Sequence, residues 1–367
     1  MKFCFLTGLY GRNDSLMVVR QGKSLIEHGH DVTMVLCDNA HNETVDGIRF
    51  VSTQFKPKGR WERFRKTYKE ILPIALKIDA DVYQISDPEL VSMVVPLKKK
   101  GKKVVFNMRE FYPDMIKHKE YIPKLLRNGV SYFYQKMLRH YLPKYDAVIV
   151  VNQHISEILK SLWGIQNVFV ISNYPWLHKD FHLTYEDYCN RDNMLCYEGT
   201  IYIESRQENV FKALEKLPEV KYLLAGKIEE GYDWIKSLDY WSEVSFVDGF
   251  KLNELPGIFN RSTIANCFRD FFGNDGSMGV IKIFDSMEAA LPVLFSDVPV
   301  YRALIDKYQC GLCVNPNDSN SIEKAIKYLV DNKNIAYQMG QNGRKAVVDN
   351  YCWDMEGEKY VHIISNI

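Results

Sequence analysis

Phe3-Cys-Phe-Leu6, Leu16 to Glu27, and Asp31-Val-Thr-Met-Val-Leu-Cys37 open the chain as an apolar run, an amphipathic stretch and a second apolar run. Short apolar runs bounded by turn residues suit strands buried on both faces, and the periodic stretch between them, closed by Glu27-His-Gly-His30, suits a helix. The order strand, helix, strand calls for a crossover connection and hence a parallel pair.

The alternation spreads outward from this unit. Gly47 to Ser52, Asp81 to Ile85, Lys103 to Met108, Ala147 to Val151 and Val168 to Ser172 are expected strands. Trp61 to Ile78, Glu89 to Lys99, Tyr132 to Tyr141 and His154 to Leu162 are expected helices. Asn173-Tyr-Pro-Trp176 breaks the pattern, and residues 175–192 hold no sustained period.

The pattern then restarts, with strands at Met194 to Tyr197, Lys221 to Ala225, Val244 to Val247, Thr263 to Cys267 and Pro292 to Phe295. Helices are expected at Gln207 to Lys216, Tyr232 to Leu238, Leu252 to Asn260, Val280 to Ala290 and from Ser321 onward. The expected organisation is α/β: a first doubly wound domain over 1–174, a linker over 175–192, a second over 193–350, and a C-terminal helix, 351–367, that crosses back to the first. At 367 residues the chain exceeds the roughly 100 to 200 usual for one domain. In doubly wound sheets ligands bind beyond the carboxyl ends of the strands, so two such sheets are expected to face each other across a cleft.

Composition narrows the function. Hydrophobic residues make up 46% and charged residues 25%, as in a soluble globular protein. No run approaches the ~20 apolar residues of a membrane span, and Arg12, Asn13 and Asp14 follow the apolar start where a signal peptide would have its cleavage site. A cytoplasmic protein, soluble or peripheral on the inner face of the membrane, is expected. Eight scattered cysteines suit reduced thiols. Cys310-Gly-Leu-Cys313 has metal-like spacing but no second pair, so no metal is expected. Residues 1–174 carry 27 Lys and Arg against 17 Asp and Glu, a net +10, while the remainder carries −9. The overall net charge of +1 lacks the basic balance of a nucleic-acid binder.

Several features of the second half point to a bound diphosphate. Glu198-Gly199-Thr200 and Gly226-Lys227 follow strands, and glycine there lets a ligand approach the backbone. Arg206 stands just before a helix, where its guanidinium can fork onto phosphate oxygens. Gly273-Asn-Asp-Gly276-Ser-Met-Gly279 runs into the helix that carries Lys282 and Asp285. A helix start preceded by small residues presents free N–H groups to an anion. Asn274, Asp275, Ser277, Met278 and Gly279 are candidate contacts to that ligand, and Asp285 is placed to accept from a ribose diol. His178 and His182 lack a third ligand and are taken as solvated.

The stretch Lys282, Asp285-Ser-Met287, Ala290-Leu-Pro292-Val293, followed by Cys310-Gly-Leu-Cys-Val-Asn-Pro-Asn317, resembles glycosyltransferase family 4, of the GT-B fold. Asp81-Val-Tyr-Gln-Ile-Ser-Asp-Pro-Glu89, Asn173-Tyr-Pro175, Tyr197-Glu-Gly-Thr200, Val247-Asp-Gly249 and Tyr351-Cys-Trp353-Asp extend the similarity over nearly the whole chain. The resemblance implies retaining transfer from a nucleoside-diphosphate sugar of UDP or GDP type, without a bound metal or other cofactor. It implies that Arg206 and Lys282 neutralise the diphosphate and that Asp285 holds the ribose, with Gly199, Thr200, Gly226, Lys227 and Gly249 beside the donor. The chain departs from the family pattern at Ser277, where an acid is common, at Thr200, where an arginine is frequent, and at Arg109, where many relatives have histidine.

At the strand ends of the first half, Glu110 and Asp87 could orient or deprotonate an acceptor hydroxyl, with Glu110 preferred and Arg109 beside it. Asn13 and Asp14 could border the donor, though capping the first helix is the better reading. Lys56, Lys58, Arg60, Arg63, Arg65, Lys66 and Lys69 cluster with Trp61, Phe64 and Tyr68; Tyr132, Phe133, Tyr134, Lys136, Arg139 and Tyr141 form a second group. Mixed cationic and aromatic surfaces suit an anionic membrane, and hence an acceptor that is a glycan or lipid-linked, as in surface polysaccharide synthesis. The competing readings are a nucleotide-sugar epimerase of the same architecture and a catalytically silent scaffold. A nicotinamide dehydrogenase is disfavoured because Gly8-Leu-Tyr-Gly11 is not a dinucleotide fingerprint.

Overall fold

In a computed structural model, which describes residues 1–118, 122–179, 181, 183–270 and 281–367, the apolar runs of the first half become β1 (Lys2–Thr7), β2 (Asp31–Leu36), β4 (Ile48–Ser52), β5 (Val82–Ile85), β6 (Lys103–Met108), β7 (Ala147–Val150) and β8 (Val168–Val170). They pair in parallel, in the order β4-β2-β1-β5-β6-β7-β8. A short β3 (Glu43–Val45) adds an antiparallel edge to β4. Its turn, Asp46-Gly47, takes positive φ at both residues, the pairing that suits a two-residue hairpin.

Strand periodicity explains why every β1 residue from Phe3 to Thr7 is buried: successive side chains enter opposite faces, and both faces are covered. Cys4 and Leu6 join a core with Ile71 and Ala75 of the helix Arg60–Ile78. The C-terminal helix Trp353–Ser365 also belongs to this unit, which comprises Met1–Asn173 and Trp353–Ile367. Trp353 is fully buried and its indole N–H donates to Ser24 Oγ at 2.9 Å. Gly357 lies so close that a Cβ would stand 2.9 Å from both groups. One turn on, Tyr360 donates to Gln84 at 2.8 Å, and Gln84 in turn donates to Gln21 at 2.8 Å. Asn107 donates to the same Gln21 oxygen at 3.0 Å, so one polar network joins two strands, the first helical segment and the last helix.

The second unit, Tyr174–Cys352, contains β9 (Met194–Glu198), β10 (Lys221–Gly226), β11 (Val244–Asp248), β12 (Ile264–Cys267), β13 (Val293–Ser296) and β14 (Gly311–Val314). All pair in parallel in the order β11-β10-β9-β12-β13-β14. Alternation along β9 feeds two cores: Met194 and Cys196 face Phe284 and Met287, while Leu195 and Tyr197 face Val210 and Phe211.

Residues expected as a linker are instead part of this unit. Phe181 and Tyr188 are buried, the helix Tyr185–Asn190 is capped by Thr184, and Tyr188 donates to the Thr263 carbonyl at 3.0 Å. A stretch this short shows no period, yet its few apolar side chains cover the sheet. His178 is likewise not simply solvated: its Nδ1 lies 2.9 Å from the buried Glu288. His182 lies outside the described residues. Tyr351 also belongs to the second unit, where its ring packs on Tyr174 (5.3 Å) and Phe284 (4.9 Å).

Replacing Trp353 by alanine should cost about 3–5 kcal/mol, the usual range for a buried large aromatic. Urea unfolding followed by circular dichroism tests this, and an unchanged midpoint would deny the helix its place in the first core.

Candidate active site

The connections of the second sheet reverse direction at β9, with β10 and β11 on one side and β12, β13 and β14 on the other. The loops leaving β9 and β12 part at that point, which is where open α/β sheets receive ligands. Gly199, at φ 106°, leaves β9 and donates to the Ala225 carbonyl at 3.0 Å. Gly226 is pressed against it: a Cβ there would lie 1.7 Å from the Gly199 carbonyl oxygen, so only glycine fits. Ile201 then donates to the Lys227 carbonyl at 2.9 Å, zipping the two loops together. The Thr200 carbonyl accepts from Tyr197 at 2.8 Å, while its side chain and that of Lys227 are exposed. Gly249, at φ 73°, leaves room for the Lys227 stem, 3.3 Å from where a Cβ would stand.

Positive charge gathers at this edge. Arg206 caps the helix Gln207–Leu214 in the left-handed conformation, φ 51°, which is uncommon for a residue with a side chain. Its Nε and Nη2 donate to Asp270 Oδ2, at 3.1 and 2.5 Å, across the gap between β9 and β12. Burial pulls the guanidinium pKa down, but the bond and charge of Asp270, with the nearby Glu208 and Tyr232, together leave it raised. Asn317 also donates to Asp270, at 3.3 Å. Lys282 lies on the helix Ile281–Glu288 with its ammonium 3.8 Å from the centre of the Tyr197 ring. Asp285, on the same helix, is buried. Gly226 thus lies against Gly199 after β9, Lys282 stands over Tyr197 of the same strand, and Arg206 reaches across to the residues after β12. Asn274, Asp275, Ser277, Met278 and Gly279 lie outside the described residues.

Sequence reasoning did not single out Asp270, Asn317 or Glu198 as site candidates. Phe268-Arg-Asp270 directly follows β12, so the rule that ligands sit beyond strand ends was signal enough. Glu198 is 8% exposed, with burial raising its carboxyl pKa and Lys282 opposing.

In the first unit the reversal falls between β1 and β5. Asp87, expected to line a cleft, is wholly buried there instead. Its carboxylate accepts from Gly8 N at 2.5 Å and Thr7 Oγ1 at 3.0 Å, tying the ends of the two strands together. Glu89 is buried next to it and ion-paired with Arg63. Arg109 reaches Asp14 at 2.7 Å and lies 4.2 Å over the Tyr10 ring. Asp14 caps the first helical turn, accepting from Leu16 N at 3.1 Å and Met17 N at 2.8 Å. Asn13 and Glu110 are exposed beside these pairs.

Burial, and then the neighbouring Glu89, push the Asp87 carboxyl up to about 7 from 3.8. A raised acid binds its proton in the folded state while the unfolded chain has released it, so stability falls as pH climbs from about 4 to about 7. Thermal unfolding across that range should show the decline in the native protein and a flatter profile in Asp87→Asn; parallel profiles would place the proton elsewhere.

Two parallel-sheet Rossmann-like units, the second with a cationic switch point, define a chain of the GT-B class. A family model described as glycosyl transferases group 1 matches residues 189–346, and one described as glycosyltransferase family 4 matches residues 16–174. The two matches, one to each unit, mark the chain as a glycosyltransferase of the family 4 type. It is 20% identical over 265 residues to an uncharacterized glycosyltransferase of Methanocaldococcus jannaschii, spanning 66% of this chain and 64% of that protein. Similar folds are sucrose-phosphate synthase of Thermosynechococcus elongatus (TM-score 0.74, 15% identity, 100% of this chain and 98% of that one) and WaaG, a glycosyltransferase involved in lipopolysaccharide biosynthesis (0.72, 13%, 99% of each). HepE of Anabaena, in complex with UDP and glucose, aligns over 100% of both chains (0.70, 13%).

Proposed function

We propose that this protein transfers a sugar, with retention at the anomeric carbon, from a nucleoside-diphosphate donor to a glycan or lipid-linked acceptor in surface polysaccharide or glycoconjugate synthesis. The observation that carries the reading is that two cations flank the switch point of the second sheet, Arg206 against Asp270 beyond β12 and Lys282 over the Tyr197 ring of β9. The leaving group of such a transfer is a nucleoside diphosphate, whose negative charge grows as the glycosidic bond breaks. Fixed cations aimed at that charge lower the barrier, and no metal is needed to supply them. Asp285 takes the ribose hydroxyls. HepE holds UDP, which favours UDP over GDP for this donor.

Arg206→Ala and Lys282→Ala should each lower kcat by about 10²–10³, as removal of one such donor does elsewhere. The decisive experiment is a thermal-shift screen against UDP, GDP, ADP, CMP and their sugar conjugates. Ligand at 100-fold excess over Kd stabilises by about 2.7 kcal/mol. One nucleoside diphosphate should stabilise the protein selectively and lose that effect in Arg206→Ala and Asp285→Ala. No response to any nucleotide would sink the reading.

The first unit supplies the acceptor side. Trp61 is 83% exposed, Leu125 97% and Tyr132 66%, on helices that also carry Arg60, Arg65, Lys66, Lys69, Lys124 and Lys136. Phe64 and Tyr134 pack edge to face at 5.8 Å and join the two helices. Among the described residues no helix is long and apolar enough to cross a membrane. The basic aromatic face instead rests on an anionic bilayer at the inner face of the cell membrane, where a lipid-linked acceptor is held. The protein should float with anionic vesicles, release with salt, and ignore neutral ones; binding insensitive to salt would remove the membrane from the proposal.

A further inference from the structure

One buried group at the switch point has no task in the reading above. Glu198 closes β9, is 8% exposed, and its Oε1 has no hydrogen-bond partner among the described residues. A buried carboxylate oxygen without a donor is costly, and its persistence at a ligand-binding edge calls for an explanation. Lys282 is close enough to oppose the effect of burial on this carboxyl, yet its ammonium stands over the Tyr197 ring. The buried Cys267 thiol feels Lys282, Glu198 and Asp285, which places the three charges around the end of one strand.

The chemistry of the orphan oxygen selects its partner. A carboxylate accepts hydrogen bonds and repels phosphate, so the diphosphate is excluded and uncharged hydroxyls remain. Arg206 and Lys282 account for the phosphates, and Asp285 for the ribose, which leaves the transferred sugar. We infer that Glu198 accepts a hydrogen bond from a hydroxyl of the donor sugar and thereby selects which nucleotide sugar is held. This rests on the donor site proposed above and adds to it a residue that separates the sugar conjugate from the bare nucleoside diphosphate.

Calorimetric titration of the full chain with UDP, UDP-glucose, GDP and GDP-mannose tests the inference, using the native protein, Glu198→Gln and Glu198→Asp. Glu198→Gln keeps the shape and lightens the burial cost, while Glu198→Asp keeps the charge and withdraws it by one methylene. For the base that the native protein binds, both variants should weaken the sugar conjugate by about ten- to hundredfold, the usual worth of a hydrogen bond to a charged group. The bare nucleoside diphosphate should keep its affinity, which a merely structural role for Glu198 would not allow. Unchanged binding of the conjugate, or equal weakening of both ligands, overturns the assignment while leaving the donor site standing. A native protein that binds none of the four overturns the donor site itself, and this inference with it.

Discussion

A parallel sheet sends all its strands out through one edge, and where the crossover direction reverses, two neighbouring loops must separate. Each unit of this protein meets that constraint once, and each resolves it differently. Between β1 and β5 the gap is closed from within, by the Asp87 carboxylate bonded to Thr7 and Gly8. Between β9 and β12 it is bridged by a charged pair, Arg206 with Asp270. The first solution buries a proton-binding group permanently. The second leaves a guanidinium partly exposed beside an equally exposed carboxylate.

Local backbone conformation in the second unit serves that edge. Gly226 lets the β10 loop touch the β9 loop through main chain alone. The left-handed Arg206 turns the chain sharply into its helix. Non-glycine residues in this conformation carry a cost, and they cluster where surrounding structure holds them for a purpose. The Tyr197 ring does two jobs: its hydroxyl fixes the Thr200 carbonyl, and its face supports the Lys282 ammonium, an arrangement that cation–π attraction favours.

Much of this was legible in the sequence because parallel strands are buried on both faces and show as unbroken apolar runs. The second-unit strand order could not be seen, since it depends on which crossover each helix takes. Edge elements were missed for the same physical reason: β3 holds Glu43 and Thr44, and only its Asp-Gly turn announced it. Lys282 and Arg206 were singled out because a charged residue beside a helix start stands out. Asp270 and Glu198 were not, because a carboxylate's importance here comes from what faces it across the sheet. Asp87 does stand at its strand end, but its burial there could not be read, since sequence does not reveal that Gly8 and Thr7 turn toward it.

The path of the chain has a consequence for its own synthesis. The second unit lies between Asn173 and Trp353 as an insertion into the first, with Tyr174 and Tyr351 packed together where the inserted chain begins and returns. Domains usually fold as units, from the N-terminus during translation. Here the earlier-made unit lacks Trp353, with its bond to Ser24, and Tyr360, which completes the polar network, until this helix leaves the ribosome. The inserted unit is thus finished before its host, and the part of the molecule made first is the last to become whole.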